Sequence, residues 1–433
     1  MLRVARVPRS IPPLLYVPIS IILLICTGFI PNERILDNLK TDIEKGRFHL
    51  ADYPRSPDGL VVRDQYTECI AATMGIPQDG AWNPFSSLKG EMIGNCFDLG
   101  ALLELEADQN PGFSTQSAGE PRPYSRYWHG YQIFTRPILW LGDWSLLLAL
   151  TTLTLCVAVY GYLSAFASGS ARLSAALLLG SMFIGLDVRS ILESPLVLIF
   201  FAVLLLLTSY LIRSIKATRS QSSAMLVGFF LNFFLLLVNQ GVAFVFILIS
   251  LVIALRSSNK ITDAFSLGIS QLLGVLLGWI GGFILRLVVW LTWEKPTEII
   301  HNLQSSTINA QLPVLEGQNS AQRALIALQT NADYWLQLGS KSVFLVIAAA
   351  LTLSTAILML LARQLWPVAL RLGIEVGAIT AALLVYLVVF ATHSTLHAIF
   401  VWRIIPTYLA GILVISFGAL SLTRTQKVPQ NAS

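Results

Sequence analysis

Charge is what this sequence has least of. Only 12 % of its 433 residues are Asp, Glu, Lys or Arg, whereas a water-soluble domain carries about 25 %. Such a chain cannot coat a soluble surface, which excludes a soluble enzyme, a nucleic-acid-binding domain and a disordered scaffold. Cysteine is scarce too, four residues in all, and no Cys/His spacing has the form of a zinc site. There is no Gly-x-Ser-x-Gly elbow and no H-E-x-x-H pair, and no repeat emerges at half-length. The net charge of +5 reflects where the bases sit along the chain rather than a nucleic-acid partner.

What the chain has in abundance is apolar sequence: 55 % of residues, with a mean hydropathy of +0.68. Apolar runs recur from end to end and predict an all-α polytopic membrane protein of about ten spans. The first, about 11–30, follows Arg3, Arg6 and Arg9. It has the outline of a signal peptide, but Cys26-Thr27-Gly28-Phe29 offers no small-x-small cleavage site. Ile25 before Cys26 is not the small residue a lipoprotein box needs. The reading is a retained signal anchor, N-terminus in the cytoplasm. The others are expected at about 144–166, 173–186, 196–212, 225–238, 242–255, 264–290, 342–362, 372–391 and 405–422. The stretches 173–186, 225–238 and 242–255 are short, since fourteen helical residues reach only about 21 Å against a hydrocarbon core of ~30 Å. Short helices beside Asp187-Val188-Arg189 and Asn239-Gln240-Gly241 predict a sunken, protein-lined cavity.

The bases support this topology. Thirteen lie in segments assigned inside (Arg3, Arg6, Arg9, Arg172, Arg213, Lys216, Arg219, Arg256, Lys260, Arg363, Arg371, Arg424 and Lys427), against the one acid Asp263. That is the positive-inside bias. The organisation expected is a signal-anchor span 1–30, an extracytoplasmic loop 31–143 with surface helices, and a transmembrane bundle 144–293 that includes the short spans. A second outer loop 294–341, C-terminal spans 342–423 and a cytoplasmic tail 424–433 complete it. Cys26 and Cys156 fall in spans, where they act as small apolar residues. Cys69 and Cys96 share the first outer loop, an oxidising place in most bacteria. A bridge there is worth roughly 3–4 kcal/mol on the chain-entropy estimate; two separate buried thiols are the plainer alternative.

Inside that loop, Asn32 is placed to cap a helix from Glu33 to about Lys45. Its stripe of Ile35, Leu36, Leu39 and Ile43, opposed by Arg34, Asp37, Lys40 and Glu44, predicts a helix along the membrane surface. Further on, Asp64 can cap the next helix, and Asp64 and Glu68, four apart, share one face of it. Two acids at a desolvated cleft make a general base beside a second carboxylate; the plainer reading is a cap and an exposed acid. The loop closes with Tyr124-Ser125-Arg126-Tyr127-Trp128-His129-Gly130-Tyr131 and then Arg136-Pro137. This suits an aromatic belt at the headgroups. It suits equally a headgroup clamp, with Arg126 and Arg136 for phosphate, His129 as donor and the rings for sugar or isoprenyl faces.

Near the end of the chain, His393 and His397 stand at i, i+4, followed by Phe400 and Arg403. A metal would need a third ligand, so a cationic pocket for a lipid phosphate is preferred, with two packed histidines as the alternative. Arg286, about a turn inside the seventh span, either snorkels outward or neutralises phosphate.

These segments together resemble an uncharacterised family of bacterial multi-span membrane proteins. The resemblance rests on Asp64-Gln65-Tyr66-Thr67-Glu68, on Tyr124 to Tyr131, and on His393 to Arg403 with Phe400 between. Gly278-Trp279 to Arg286 looks like a fourth match, with Arg where Lys is usual. A looser similarity is to the GT-C glycosyltransferases, which place an acidic residue early in a large first outer loop. That likeness implies transfer of a sugar from a polyprenyl-phosphate carrier to a glycan or lipid acceptor at the outer face of the bacterial cytoplasmic membrane. Asp64 is the one residue matched to the family's base. Glu68, after three intervening residues, departs from the usual closely spaced acid pair. No cofactor is implied with certainty, and a divalent metal stays open. The competing readings are a lipid-linked-sugar transporter or flippase, which needs the same cations and apolar groove without a base, and a non-catalytic partner in envelope assembly.

Overall fold

In lipid a backbone must satisfy its own hydrogen bonds, which for so apolar a chain leaves helices. In the computed structural model of the protein, every regular element among the described residues is helical. Those residues are 16–50, 65–77, 79–93, 96–105, 128–186, 192, 194–218, 221–234, 240–256, 261–303, 317–337, 353, 366–389, 391 and 403–425.

The helices are α1 (Tyr16–Gly28), α2 (Asn32–Glu44), α3 (Gln65–Thr73), α4 (Ser86–Lys89), α5 (Cys96–Leu102), α6 (Gln132–Leu141), α7 (Trp144–Ala165) and α8 (Gly169–Leu186). They continue as α9 (Pro195–Thr218), α10 (Gln221–Phe234), α11 (Gln240–Leu255), α12 (Ile261–Trp290), α13 (Pro296–Leu303), α14 (Ser320–Gln337), α15 (Trp366–Val389) and α16 (Ile404–Thr425). Four of these are long and apolar enough to cross a membrane, through Trp144–Ala165, Pro195–Ile215, Leu267–Trp290 and Leu370–Val388. Counting α1 and α2, bent by 69° at their junction, as one span makes five. Parts of α8, α10, α11 and α16 are apolar but shorter. Nine of the ten expected spans thus coincide with a helix, and 342–362 lies outside the described residues apart from Leu353. The stretch expected at 173–186 is longer than its apolar run suggests, because α8 starts at Gly169 and has 18 residues. With 14 residues, α10 stays short.

The chain divides into two units. The first comprises Met1–Gly161, Arg189–Leu237 and Gly274–His301. Its core gathers Ile35, Leu39, Phe48, Cys69, Ala72, Ile76, Cys96, Leu99, Leu139 and Trp144. The apolar stripe of α2 therefore faces protein rather than a membrane surface: Ile35 and Leu39 are wholly buried, with Leu36 and Ile43 packed at the margin. Nor does Asn32 cap α2. Pro31 holds the cap position without a side-chain hydrogen bond, and Asn32 is turned inward, donating to the Ala81 carbonyl at 2.8 Å. Cys69 and Cys96 form a disulfide with a sequence separation of 27, joining α3 to α5. Cys26 and Cys156 are free and exposed.

In the same unit α10 and α12 meet through small residues, as helices in lipid do when backbones approach closely. Gly274, Gly278 and Gly282 of α12 recur every fourth residue against Ala224, Gly228 and Asn232 of α10. A Cβ on Gly228 would lie 1.8 Å from the Val275 carbonyl oxygen, and one on Gly278 1.9 Å from that of Met225. Only glycine fits either position.

The second unit comprises Tyr162–Val188, Val238–Leu273 and Asn302–Ser433. Here α8, α11, α15 and α16 pack together. Tyr162, fully buried, shares a 2.8 Å hydrogen bond with Ser250 and packs against Phe166 and Phe246. Arg256, Glu375 and Arg371 form a largely buried ion-pair group, with Arg256 Nη2 2.5 Å and Arg371 Nε 3.1 Å from Glu375.

Candidate functional site

Asp64, Arg126, His393 and His397 lie outside the described residues, as do Asp187, Arg189 and Asn239. The other expected site residues are described. Arg403 belongs to the second unit, where it is partly buried at the start of α16 and its carbonyl accepts from the Thr407 hydroxyl at 2.9 Å. The rest belong to the first unit, in a seam of buried polar groups.

The seam begins on α3. Glu68, in its first turn, is 1 % exposed, so it is not the exposed acid of the plainer sequence reading. The Ser194 hydroxyl donates to its Oε1. Ser194 precedes Pro195, the first residue of α9, and its Oγ also accepts the Val197 N–H at 3.2 Å, an N-cap contact. One hydroxyl thus joins the carboxylate of α3 to the N-terminus of a membrane-length helix. Gln65, one turn earlier, is wholly buried, and neither atom of its amide finds a hydrogen-bond partner among the described residues. Buried amides are normally satisfied.

Past the end of α3 the seam reaches Arg136 on α6. Its guanidinium donates to the carbonyls of Thr27 at 3.1 Å, Met74 at 3.3 Å and Ile30 at 2.8 Å, and to Asn32 Oδ1 at 2.9 Å. Burial pulls its pKa down to about 10, which still leaves it charged at neutral pH. The planar fork with five donors suits such a cage, which a lysine could not fill. Gln132, one turn before Arg136, donates to the Ser87 carbonyl at 3.3 Å. The next two carbonyls, Leu88 and Lys89, accept from Arg286 at 2.7 and 3.4 Å. Arg286 therefore does not snorkel. It is wholly buried, lies over the rings of Trp128 and Trp293, and sets a positive charge at the C-terminal end of α4, where the helix dipole favours one. Arg136 and Arg286 both face backbone carbonyls.

The Trp128-to-Tyr131 turn is also internal to the protein. Trp128 and Tyr131 are buried, and the Trp128 indole donates to the Gly282 carbonyl at 2.8 Å. The Gly130 N–H bonds the Phe233 carbonyl at 2.8 Å, and a Cβ on Gly130 would sit 2.4 Å from the Phe233 ring. His129 is buried with a positive φ of 53°, and its Nδ1 is 3.2 Å from the Tyr131 hydroxyl. Left-handed backbone at a buried histidine is strain that the surrounding packing must hold in place, a feature concentrated at functional sites.

Chemically, the seam offers a buried carboxylate linked to a hydroxyl, a buried amide and an imidazole, carried on left-handed backbone, beside a phenol. Among the described residues no group of His, Cys, Asp and Glu is arranged to hold a metal. Sequence reasoning missed Ser194 and Gln65. Ser194-Pro195 is a legible helix start, but no local pattern reveals that its hydroxyl meets an acid 126 residues away. No family model, curated protein or solved structure matches the chain.

Proposed function

We propose that the protein is a membrane-embedded sugar transferase of the GT-C kind, with ten spans, a cytoplasmic N-terminus and its chemistry at the outer face of the bacterial cytoplasmic membrane. In this reading Asp64 takes the proton from an acceptor hydroxyl, whose oxygen attacks the anomeric carbon. The bond from that carbon to the carrier phosphate breaks, and polyprenyl phosphate leaves with the electron pair. Arg126, His393, His397 and Arg403 are assigned to the departing phosphate, with His129 as a hydrogen-bond donor. Glu68 is a positioning residue.

The observation that carries the reading is the Glu68–Ser194 contact. It ties the acidic beginning of α3 to the end of a membrane-length helix, and Asp64 precedes α3 in the sequence. A base serving a lipid-borne donor needs that boundary position.

The experiment is Asp64→Asn in a strain lacking the native copy, with membrane insertion checked and envelope glycans analysed. Loss of the glycan product with normal insertion is expected. Unchanged glycans in Asp64→Asn, alongside failure of His393→Ala or Arg403→Ala, overturn transfer at Asp64. A second reading, transport of a lipid-linked sugar or a non-catalytic envelope role, is favoured by one observation: Arg136 and Arg286, both assigned to phosphate on sequence grounds, are directed at carbonyls.

A further inference from the structure

The second unit carries a feature that plays no part in the transfer reading. Between α11, α12 and α15 lies a cavity of about 50 Å3, lined mainly by aliphatic side chains including Leu248, Leu251, Leu255 and Ile269, with Arg371 and Glu375 as its charged members. Ile269 is 40 % exposed, so the cavity opens onto the apolar outside of the helices.

Glu375 is saturated. Its two oxygens receive Arg256 Nε at 3.3 and 3.1 Å, Arg256 Nη2 at 2.5 Å and Arg371 Nε at 3.1 Å. Arg256 Nη2 also reaches the Ile415 carbonyl at 2.7 Å, and Arg371 Nη2 the Arg256 carbonyl at 3.2 Å. What remains is one Nη1 on each arginine, without a hydrogen bond among the described residues. Among the described side chains, two guanidinium groups against one carboxylate leave a surplus of one positive charge. A buried surplus charge is costly unless something neutralises it.

Depth selects what that is. Glu375 lies five residues inside the apolar stretch Leu370–Val388, roughly 7–8 Å at 1.5 Å per residue, with Arg371 at the edge of that stretch. The group therefore straddles the boundary between hydrocarbon and headgroups, where a phosphodiester sits above its acyl chains.

We infer that this cavity is a binding site for one anionic phospholipid, its phosphodiester held by the Nη1 group of Arg371, the cation that lines the cavity, and an acyl chain laid along the aliphatic wall. One phosphodiester charge neutralises the surplus. A zwitterionic lipid brings its own ammonium to the same place and gains less.

The test uses the full-length chain purified in detergent, with bound lipid counted by native mass spectrometry after exposure to phosphatidylglycerol or phosphatidylcholine. At least ten-fold preferential retention of phosphatidylglycerol is expected, along with a rise in the thermal midpoint that glycerophosphate at equal concentration does not reproduce. Arg371→Gln is expected to abolish the preference, and Ala378→Phe, which fills the cavity, to abolish retention. Equal retention of both lipids by the wild type overturns the site, and equal protection by glycerophosphate overturns the lipid assignment. Should Arg371→Gln fail to fold, Ala378→Phe decides: retention at the wild-type level sinks the proposal. These readouts do not involve Asp64 or any glycan, so the site and the transferase reading stand or fall separately.

Discussion

The hydroxyl of Ser194 donates to the carboxylate of Glu68 and at the same time accepts the Val197 N–H. One side chain thus caps α9 and tethers α3. Ser194→Ala removes the cap and one partner of a buried carboxylate, for a loss of about 2 kcal/mol. Thermal unfolding in detergent measures it. An unchanged midpoint would show that the contact contributes nothing to holding the two helices.

Arg286 is bound to α4 through Leu88 and Lys89 and sandwiched by two indoles. Arg286→Met leaves buried carbonyls without their donor, at roughly 3 kcal/mol. Arg286→Lys retains the charge but loses the fork and is expected to rescue only part of the loss. A residue serving chiefly as a phosphate contact would behave otherwise: both variants would fold normally and lose only function.

The α10–α12 contact offers a matched pair. Gly278 has no room for a Cβ, whereas one on Gly281 meets nothing within 4 Å. Gly278→Ala must push the helices apart and is expected to lower yield and midpoint sharply. Gly281→Ala should be neutral or stabilising by up to about 1 kcal/mol, as alanine for glycine in a helix usually is. Equal behaviour of the two variants would show that the helices do not approach as closely as described.

Reducing the Cys69–Cys96 bridge, or replacing both residues by serine, frees a segment closed over a sequence separation of 27. The expected loss is roughly 3–4 kcal/mol. It should appear as a lower midpoint in reductant for the wild type, with no reductant effect on the double variant.

Asp143 precedes α7 and accepts the Leu146 N–H at 2.9 Å. That bond, reinforced by Arg47, holds its carboxyl below the ordinary range in spite of an opposing desolvation effect. A depressed carboxylate pKa contributes stability above the unfolded value of about 3.9, and that contribution disappears as pH falls through the folded value. The acid limb of the stability profile should therefore be shallower in Asp143→Asn than in the wild type below about pH 4. Superimposable limbs in a pH series of unfolding midpoints would remove Asp143 from the acid response.

Class and composition of the elements were legible without coordinates. Charge at 12 % and long apolar runs leave helices as the only way to satisfy backbone in lipid, and nine expected spans coincide with helices for that reason. The amphipathic stripe of α2 was equally legible, since periodicity is local. What covers the stripe is not local, and only the fold decided that protein does. The same limit applied to Arg136, Arg286 and Trp128: sequence shows a cation or an indole near a span end, and solvent and headgroups are the default partners. Backbone carbonyls at 27, 30, 74, 88 and 89 took those cations, because hydrogen-bond acceptors carried by every residue leave no mark in a sequence. Ser194 with Glu68, and Arg256 with Glu375, are pairings across more than 100 residues. Periodicity and capping rules act over a few turns, so contacts of that range are settled only when the chain has packed.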